Sequence, residues 1–337
     1  MTAPPDPDHA TACMTRAFGD GAARARLEAP IDGAINRTFP ASLDGMRYAV
    51  RLRVNEENFR YEKGIAKSAL VGAIHAAKRA GLSDRDAARA KPDGAAPPHA
   101  PALVYWSHGD DLWRLPWEIA RWCPGAALGA PESAPDDDAY ARAAGAIADI
   151  HAIGFEGGVP DLLSLDGPKT DFAAWIGAAI ERELARGPLE ARIEGYARAI
   201  LRAATGDVRW TLVHNDLHGL HLILDPANGD VAVIDWDNAL VGPAELDFVK
   251  LKHWTRVDPT TGHLAGDARA YDAIARAYVA RTGRPLNADV FRACEALWLL
   301  RVWRFESERR AAGKPTPRLF AGPEIYRDEL DRLARAA

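Results

Sequence analysis

Val213-His214-Asn215-Asp216-Leu217-His218-Gly219-Leu220-His221-Leu222-Ile223-Leu224, followed after Asn228-Gly229 by Val233-Ile234-Asp235-Trp236-Asp237, is the stretch that decides how this 337-residue chain is read. Two short apolar runs, Leu222 to Leu224 and Val231 to Ile234, flank an Asn-Gly pair, the strongest short-range signal for a tight β-hairpin. A turn centred on Asn228 and Gly229 would set Leu222 opposite Asp235 and bring Asp235 back beside His221. Asp216 lies a few residues upstream along the chain. Carboxylates gathered at the open end of a hairpin repel unless a cation sits there or one of them holds a proton. Mg²⁺ carried with a nucleotide phosphate is the usual cation for such a site.

The pattern His214-x-Asp216-Leu217-His218, with Ile234-Asp235-Trp236 beyond it, resembles the aminoglycoside phosphotransferase family, which is similar to the choline kinases and the protein kinases. The family motif is H-x-D-L-x-x-x-N followed by I-D-W/F. The resemblance implies that Asp216 orients, or takes the proton from, an acceptor hydroxyl and that Asp235 holds Mg²⁺ on the phosphates of ATP or GTP. His214 would brace the loop, and His218 stands where the kinase loop has a Lys facing the γ-phosphate, with loop packing as its other reading. Val241-Gly242-Pro243-Ala244-Glu245-Leu246-Asp247-Phe248 resembles the family's G-x-P-x-x-D-L segment, in which the Asp ties down the catalytic loop. The chain departs from the motif where its Asn, a second Mg²⁺ ligand, is replaced by His221. Imidazole nitrogen suits zinc, copper or iron better than Mg²⁺. A His at this place is also similar to the macrolide phosphotransferase pattern H-G-D-L-H-P-G-H.

If the resemblance holds, the N-terminal third supplies the nucleotide clamp. Ile31 to Phe39 and Arg47 to Arg53, separated by a polar turn at Asp44-Gly45, read as successive short strands. Tyr48-Ala49-Val50-Arg51 resembles the V-A-I-K strand, with Arg51 in the place of the Lys that contacts the α- and β-phosphates. Arg keeps a permanent charge and a fixed fork of donors, so phosphate contact survives the exchange. Glu56 to Ala77 has helical spacing, and Glu62 is the expected acidic partner of Arg51, with Glu56 and Glu57 as rivals. No G-x-G-x-x-G or Walker A sequence occurs, so a short turn carrying Gly33 and Asn36 would have to cover the phosphates. Arg121-Trp122-Cys123-Pro124-Gly125 looks like the family's hinge, where Arg121 and Cys123 would meet the nucleotide base through backbone groups.

Composition is consistent with these expectations. The net charge of −5 is spread over mixed signs, which leaves no footprint for nucleic acid. No apolar run approaches the roughly 18 residues of a membrane span, and the first residues are Pro- and Asp-rich without a hydrophobic signal core. The 3 cysteines, Cys13, Cys123 and Cys294, lie far apart and imply neither a disulfide framework nor a zinc site, so a reducing cytoplasm is expected. Leu103 to Trp106 and Trp117 to Cys123 suggest another hairpin. Helical spacing then dominates, over Ala141 to Ile153, Phe172 to Leu184, Leu189 to Ala203, Tyr271 to Thr282 and Val290 to Arg309.

The expected fold is therefore α+β and bilobal, protein-kinase-like: a small β-rich lobe with one main helix over residues 1–120, a hinge at 121–126, and a larger, mostly helical lobe over 127–337. The implied activity is transfer of a γ-phosphoryl group from ATP or GTP to a hydroxyl of a small molecule, either an antibiotic such as an aminoglycoside or macrolide or an aminosugar or alcohol metabolite. The alternative is a kinase-like protein that binds a nucleotide or a partner without transferring phosphate. A protein-directed kinase is disfavoured because Asn238 to Glu245 leaves no room for a long activation segment. Some features have plainer readings: Asp237 as a solvated residue, Asp136 to Asp138 as a linker, and Trp254, Trp298, Trp303 and Phe305 as core rather than the wall of an acceptor pocket.

Overall fold

The computed structural model describes residues 4–33, 36–54, 71, 99–107, 109–130, 133–153, 163, 172–185, 191, 193–196, 198, 208–254, 269–315 and 321–335. The expected helix over Glu56 to Ala77, with Glu62 and its rivals Glu56 and Glu57, lies outside the described residues, as does most of Leu189 to Ala203. The chain divides into two compact units. The first comprises residues 1–126, 155–163 and 221–239, and the second 127–154, 164–220 and 240–337.

The first unit opens with a helix absent from the sequence reading, α1 (Pro7–Phe18). Its start is chemically marked. The Asp6 side chain accepts from the His9 backbone N–H at 3.0 Å, and Pro7 at the first helical position loses no needed donor. Ala10, Cys13 and Met14, at helical spacing, are fully buried. Strands β1 (Arg26–Leu27), β2 (Ile31–Asp32), β3 (Asn36–Leu43), β4 (Met46–Arg53), β5 (Leu103–Ser107) and β6 (Trp117–Arg121) form an antiparallel sheet. Its order is β1-β3-β4-β6-β5, with β2 also on β3. Leu43 pairs with Met46 across Asp44-Gly45, both at positive φ (49° and 77°), the geometry a two-residue hairpin turn requires. Along β4, Tyr48, Val50 and Leu52 are buried with Phe39, Trp117 and Ile119 in a core that includes α1. The strand's two-residue period turns Arg51 to the other face.

The same unit holds the hairpin of β9 (Leu222–Leu224) and β10 (Val231–Val233), in a register that differs from the sequence expectation. Leu222 pairs with Val233, so the loop is longer than a two-residue turn. Asp225 and Pro226 account for this. The Asp225 side chain accepts from Ala227 N–H and its carbonyl from Gly229 N–H, the Asn228 side chain accepts from Asp230 N–H, and Pro226 has no N–H for the ladder. The slip of two residues keeps every side chain on its intended face. A two-residue strand, β7 (Ala126–Ala127), falls at the division between the units.

In the second unit β8 (Trp210–Val213) pairs antiparallel with β11 (Leu240–Pro243). Helices α2 (Asp137–His151), α3 (Phe172–Ala185), α4 (Glu245–Trp254), α5 (Arg269–Thr282), α6 (Ala288–Ala311) and α7 (Pro323–Arg335) also belong to this unit. Asp136 is not a linker residue: its side chain caps α2 by accepting from Ala139 N–H at 2.9 Å. The core centres on α6, whose Val290, Leu297, Leu299, Leu300 and Trp303 are buried with Trp175, Ile176, Val213, Val249, Tyr326 and Leu330. Trp303 is thus a core residue, and Trp298 packs against the same core, stacked on His253 and edge-on to Tyr326. The backbones at Gly129 and Gly219 touch, with Gly129 N–H donating to Gly219 C=O at 2.9 Å. A Cβ added at Gly129 would lie 2.8 Å from the Gly219 carbonyl carbon.

Candidate active site

In the second unit β8 delivers the His214–Asp216 loop, and β11, paired alongside β8, leads into α4. That connection places Asp247 against the loop. One Asp247 oxygen accepts from His214 N–H at 2.9 Å, and the other from Asn215 N–H at 2.6 Å. Asn215 is in the left-handed region (φ 59°), which Asn tolerates better than most residues. His151, at the end of α2, bridges Asp247 and the Tyr278 hydroxyl at 3.0 Å each. Because a carboxylate only accepts, Nε2 of His151 carries the proton toward Asp247 and Nδ1 accepts from Tyr278. Burial pushes the Tyr278 hydroxyl up to about 12, so it keeps that proton. The Thr211 hydroxyl closes the network by donating to the His151 carbonyl at 2.6 Å.

His214 is fully buried and its Nδ1 accepts from Asp216 N–H at 3.2 Å, a geometry that braces the loop. His218 is also buried, with Nδ1 accepting from Leu220 N–H at 3.3 Å. The Asp216 carboxylate forms an ion pair with Lys250, a residue of α4 that sequence reasoning passed over.

In the first unit Arg51 is held by carboxylates on several sides. Glu118, directly opposite on β6, pairs with it, Asp235 accepts from it at 3.0 Å, and Asp237 lies 3.6 Å away. Arg53, one period along β4, lies 3.8 Å from Asp237. Asp237 is therefore buried and ion-paired rather than solvated. Glu118 was not singled out from sequence, since only the pairing of β4 with β6 makes it Arg51's neighbour. Burial disfavours the Arg51 charge, but Glu118, Asp235 and Asp237 outweigh it and hold the guanidinium above its ordinary pKa. Burial pushes the Glu118 carboxyl up to about 7, against the opposing pull of Arg51.

Among the described residues three carboxylates face two guanidiniums here, and a proton on Glu118 or a cation at Asp235 would offset their mutual repulsion. Asp235 suits Mg²⁺: it offers hard oxygen ligands, and its side chain is 39% exposed where those of Glu118 and Asp237 are 3% and 4%. It sits at φ 66°, a left-handed conformation that Asp adopts more readily than bulky residues. His221 Nε2 lies 3.7 Å from Asp235 Oδ2, but its nitrogen is not a donor Mg²⁺ favours.

Gly33, Asn36, Arg121 and Cys123, expected from the sequence to meet the nucleotide, all lie in the first unit. Gly33 N–H donates to Asn36 C=O, at the start of β3, at 2.9 Å. Arg121 ends β6, stacks its guanidinium over Tyr48 at 4.9 Å, and keeps a buried Nη1 with no hydrogen-bond partner among the described residues. Burial raises the Cys123 thiol to about 11, so it is neutral. Gly125 has φ 115° and meets the Leu224 carbonyl so closely that no side chain fits there.

The profile of the phosphotransferase enzyme family matches residues 27–285, and the chain belongs to that family. Among solved structures it is similar to aminoglycoside phosphotransferase APH(4)-Ia, with 16% identity and a TM-score of 0.65 over 98% of this chain and 99% of that one. A thermostable mutant of APH(4)-Ia in ternary complex with AMP-PNP and hygromycin B matches at 15% identity and TM-score 0.62, over 97% of this chain and 98% of that one. Macrolide 2'-phosphotransferase MphH from Brachybacterium faecium matches at 18% identity and TM-score 0.56, over 97% and 98%. The α+β fold is that of these kinase-like enzymes. Curated proteins give no match. Among the described residues no helix is long and apolar enough to cross a membrane.

Proposed function

We propose that this phosphotransferase moves the γ-phosphoryl group of ATP or GTP to a hydroxyl of a small molecule, in the cytoplasm. The observation that carries the proposal is the docking of the His214–Asp216 loop onto Asp247, which fixes the loop backbone while Asp216 presents a carboxylate. In this reading Asp216 orients the acceptor hydroxyl and takes its proton, while His214 keeps the loop in register. Arg51, anchored by Glu118, steadies the α- and β-phosphates. Asp235 is the residue that would hold Mg²⁺, which when bound neutralises charge on the phosphates. Gly33, Asn36, Arg121 and Cys123 belong to the nucleotide side, and the Nη1 of Arg121, buried and without a hydrogen-bond partner among the described residues, supports a polar contact there. Acceptors in this reading range over aminoglycosides, macrolides, aminosugars and simple alcohols.

A second reading, nucleotide binding without transfer, is favoured by a single observation, the imidazole of His221 beside Asp235. One experiment separates the two. The purified protein is incubated with Mg²⁺, ATP or GTP, and pooled acceptors, and mass spectrometry looks for an acceptor that gains a phosphoryl group. Product that disappears in Asp216→Ala supports transfer. Nucleotide bound but never consumed, in the parent and in His221→Asn alike, would sink it.

A further inference from the structure

We infer that Lys250 is a positioning and specificity-determining residue that selects uncharged or acidic hydroxyl compounds over amines. The inference rests on the reading in which Asp216 receives the acceptor hydroxyl. Asp247 and Lys250 stand three residues apart on α4, so their side chains share one helix face. That face holds three consecutive residues of the loop. Asp247 takes the backbone N–H groups of His214 and Asn215, and the Lys250 ammonium takes the side chain of Asp216. The next basic residues of the helix, Lys252 and His253, are directed elsewhere, onto Glu295 at 2.6 and 2.7 Å. The pairing is sheltered, with the side chains of Lys250 and Asp216 only 15% and 17% exposed.

An ammonium is a compact point charge, so its field does not depend on the orientation of an incoming group. An acceptor that donates its hydroxyl to Asp216 brings its neighbouring substituents beside Lys250. An amine there meets a like charge and finds the carboxylate that would have attracted it already paired, whereas a carboxylate or phosphate placed on the Lys250 side meets an opposite charge. Uncharged sugars and polyols are neither favoured nor excluded. Lys250 therefore disfavours the amine-bearing sugars that would otherwise suit a site built around an Asp.

The test uses the full chain with Mg²⁺ and γ-labelled ATP or GTP. Three acceptor pools are matched in size: neutral sugars and polyols, aminosugars and amino alcohols, and sugar acids and hydroxy acids. Parent, Lys250→Met, Lys250→Arg and Asp216→Ala are compared. The parent is expected to label the neutral or acidic pool. Lys250→Met should raise the share of label entering the amine pool at least about tenfold, with KM for acidic acceptors rising more than kcat falls, and Lys250→Arg should restore the parent's preference. A parent that prefers amines overturns the inference with no variant needed, and so does an unchanged distribution in a folded Lys250→Met. No transfer to any pool, or transfer surviving in Asp216→Ala, overturns the phosphotransfer reading itself and this inference with it.

Discussion

Around Arg51, three carboxylates share two guanidiniums, and the most exposed of them, Asp235, is aimed at by one guanidinium and flanked by an imidazole. Around Asp216, one carboxylate meets one ammonium, and the loop beneath it is fastened through main-chain N–H groups. The first arrangement gathers carboxylates and suits a ligand that brings cations. The second fixes geometry. Phosphoryl transfer needs both, since its catalysis lies chiefly in neutralising phosphate charge and in positioning the nucleophile.

The contrast can be broken most decisively at its two carboxylates. Asp235→Asn keeps a residue that tolerates φ 66° but removes a negative charge from the crowded cluster. Transfer should fall on the order of 10³-fold or more while the melting temperature holds or rises. A large loss of stability would mean that Asp235 is structural. Asp247→Ala, by contrast, leaves two backbone N–H groups and His151 without their acceptor, and should cost about 3–5 kcal/mol in denaturant unfolding. A cost below 1 kcal/mol would show that the loop is held by other means.

The pH dependence sharpens the same comparison on the Arg51 side. Burial raises Glu118 from 4.5 to about 7, so the neutral carboxyl is the form the fold prefers. Its contribution to stability is complete below pH 4.5 and is lost as the pH rises through about 7. Glu118→Gln, permanently neutral, should gain stability relative to the parent across that window, as read by unfolding at several pH values. A stability difference that does not vary with pH would contradict this. The smallest effect is expected at the β3–β4 turn. Gly45→Ala, at φ 77° with open space around it, should cost about 1–2 kcal/mol and leave transfer unchanged at temperatures where the protein stays folded.

The elements legible in the sequence were those whose signals are local. Asp44-Gly45 marked its turn, Leu103–Ser107 and Trp117–Arg121 paired as the expected hairpin, and α2, α3, α5 and α6 fell where apolar residues recur at helical spacing. α1 was missed because its Pro- and Asp-rich start was weighed only for a signal core, although Asp6-Pro7 with His9 was a usable cap signal. α7 was missed because charged residues dominate its sequence and its buried side, Tyr326, Leu330 and Leu333, is narrow. The β9–β10 register slipped by two because Asn-Gly is a strong turn signal only when Asp and Pro beside it do not build a longer loop. The motif residues Asp216, Asp235 and Asp247 could be named from their resemblance to the family motifs. Their partners Glu118 and Lys250 could not, since strand order and a helix face, neither written in any short stretch, bring them into contact.

The touching backbones of Gly129 and Gly219 carry a genetic consequence. A methyl at either position must wedge apart two main chains, one of them leading directly out of His218. Once the first substitution has forced that separation, the second finds the space already opened, so the two costs should not add. A mutational scan would then record both sites as intolerant singly, yet the double alanine as scarcely worse than either one, a signature of epistasis.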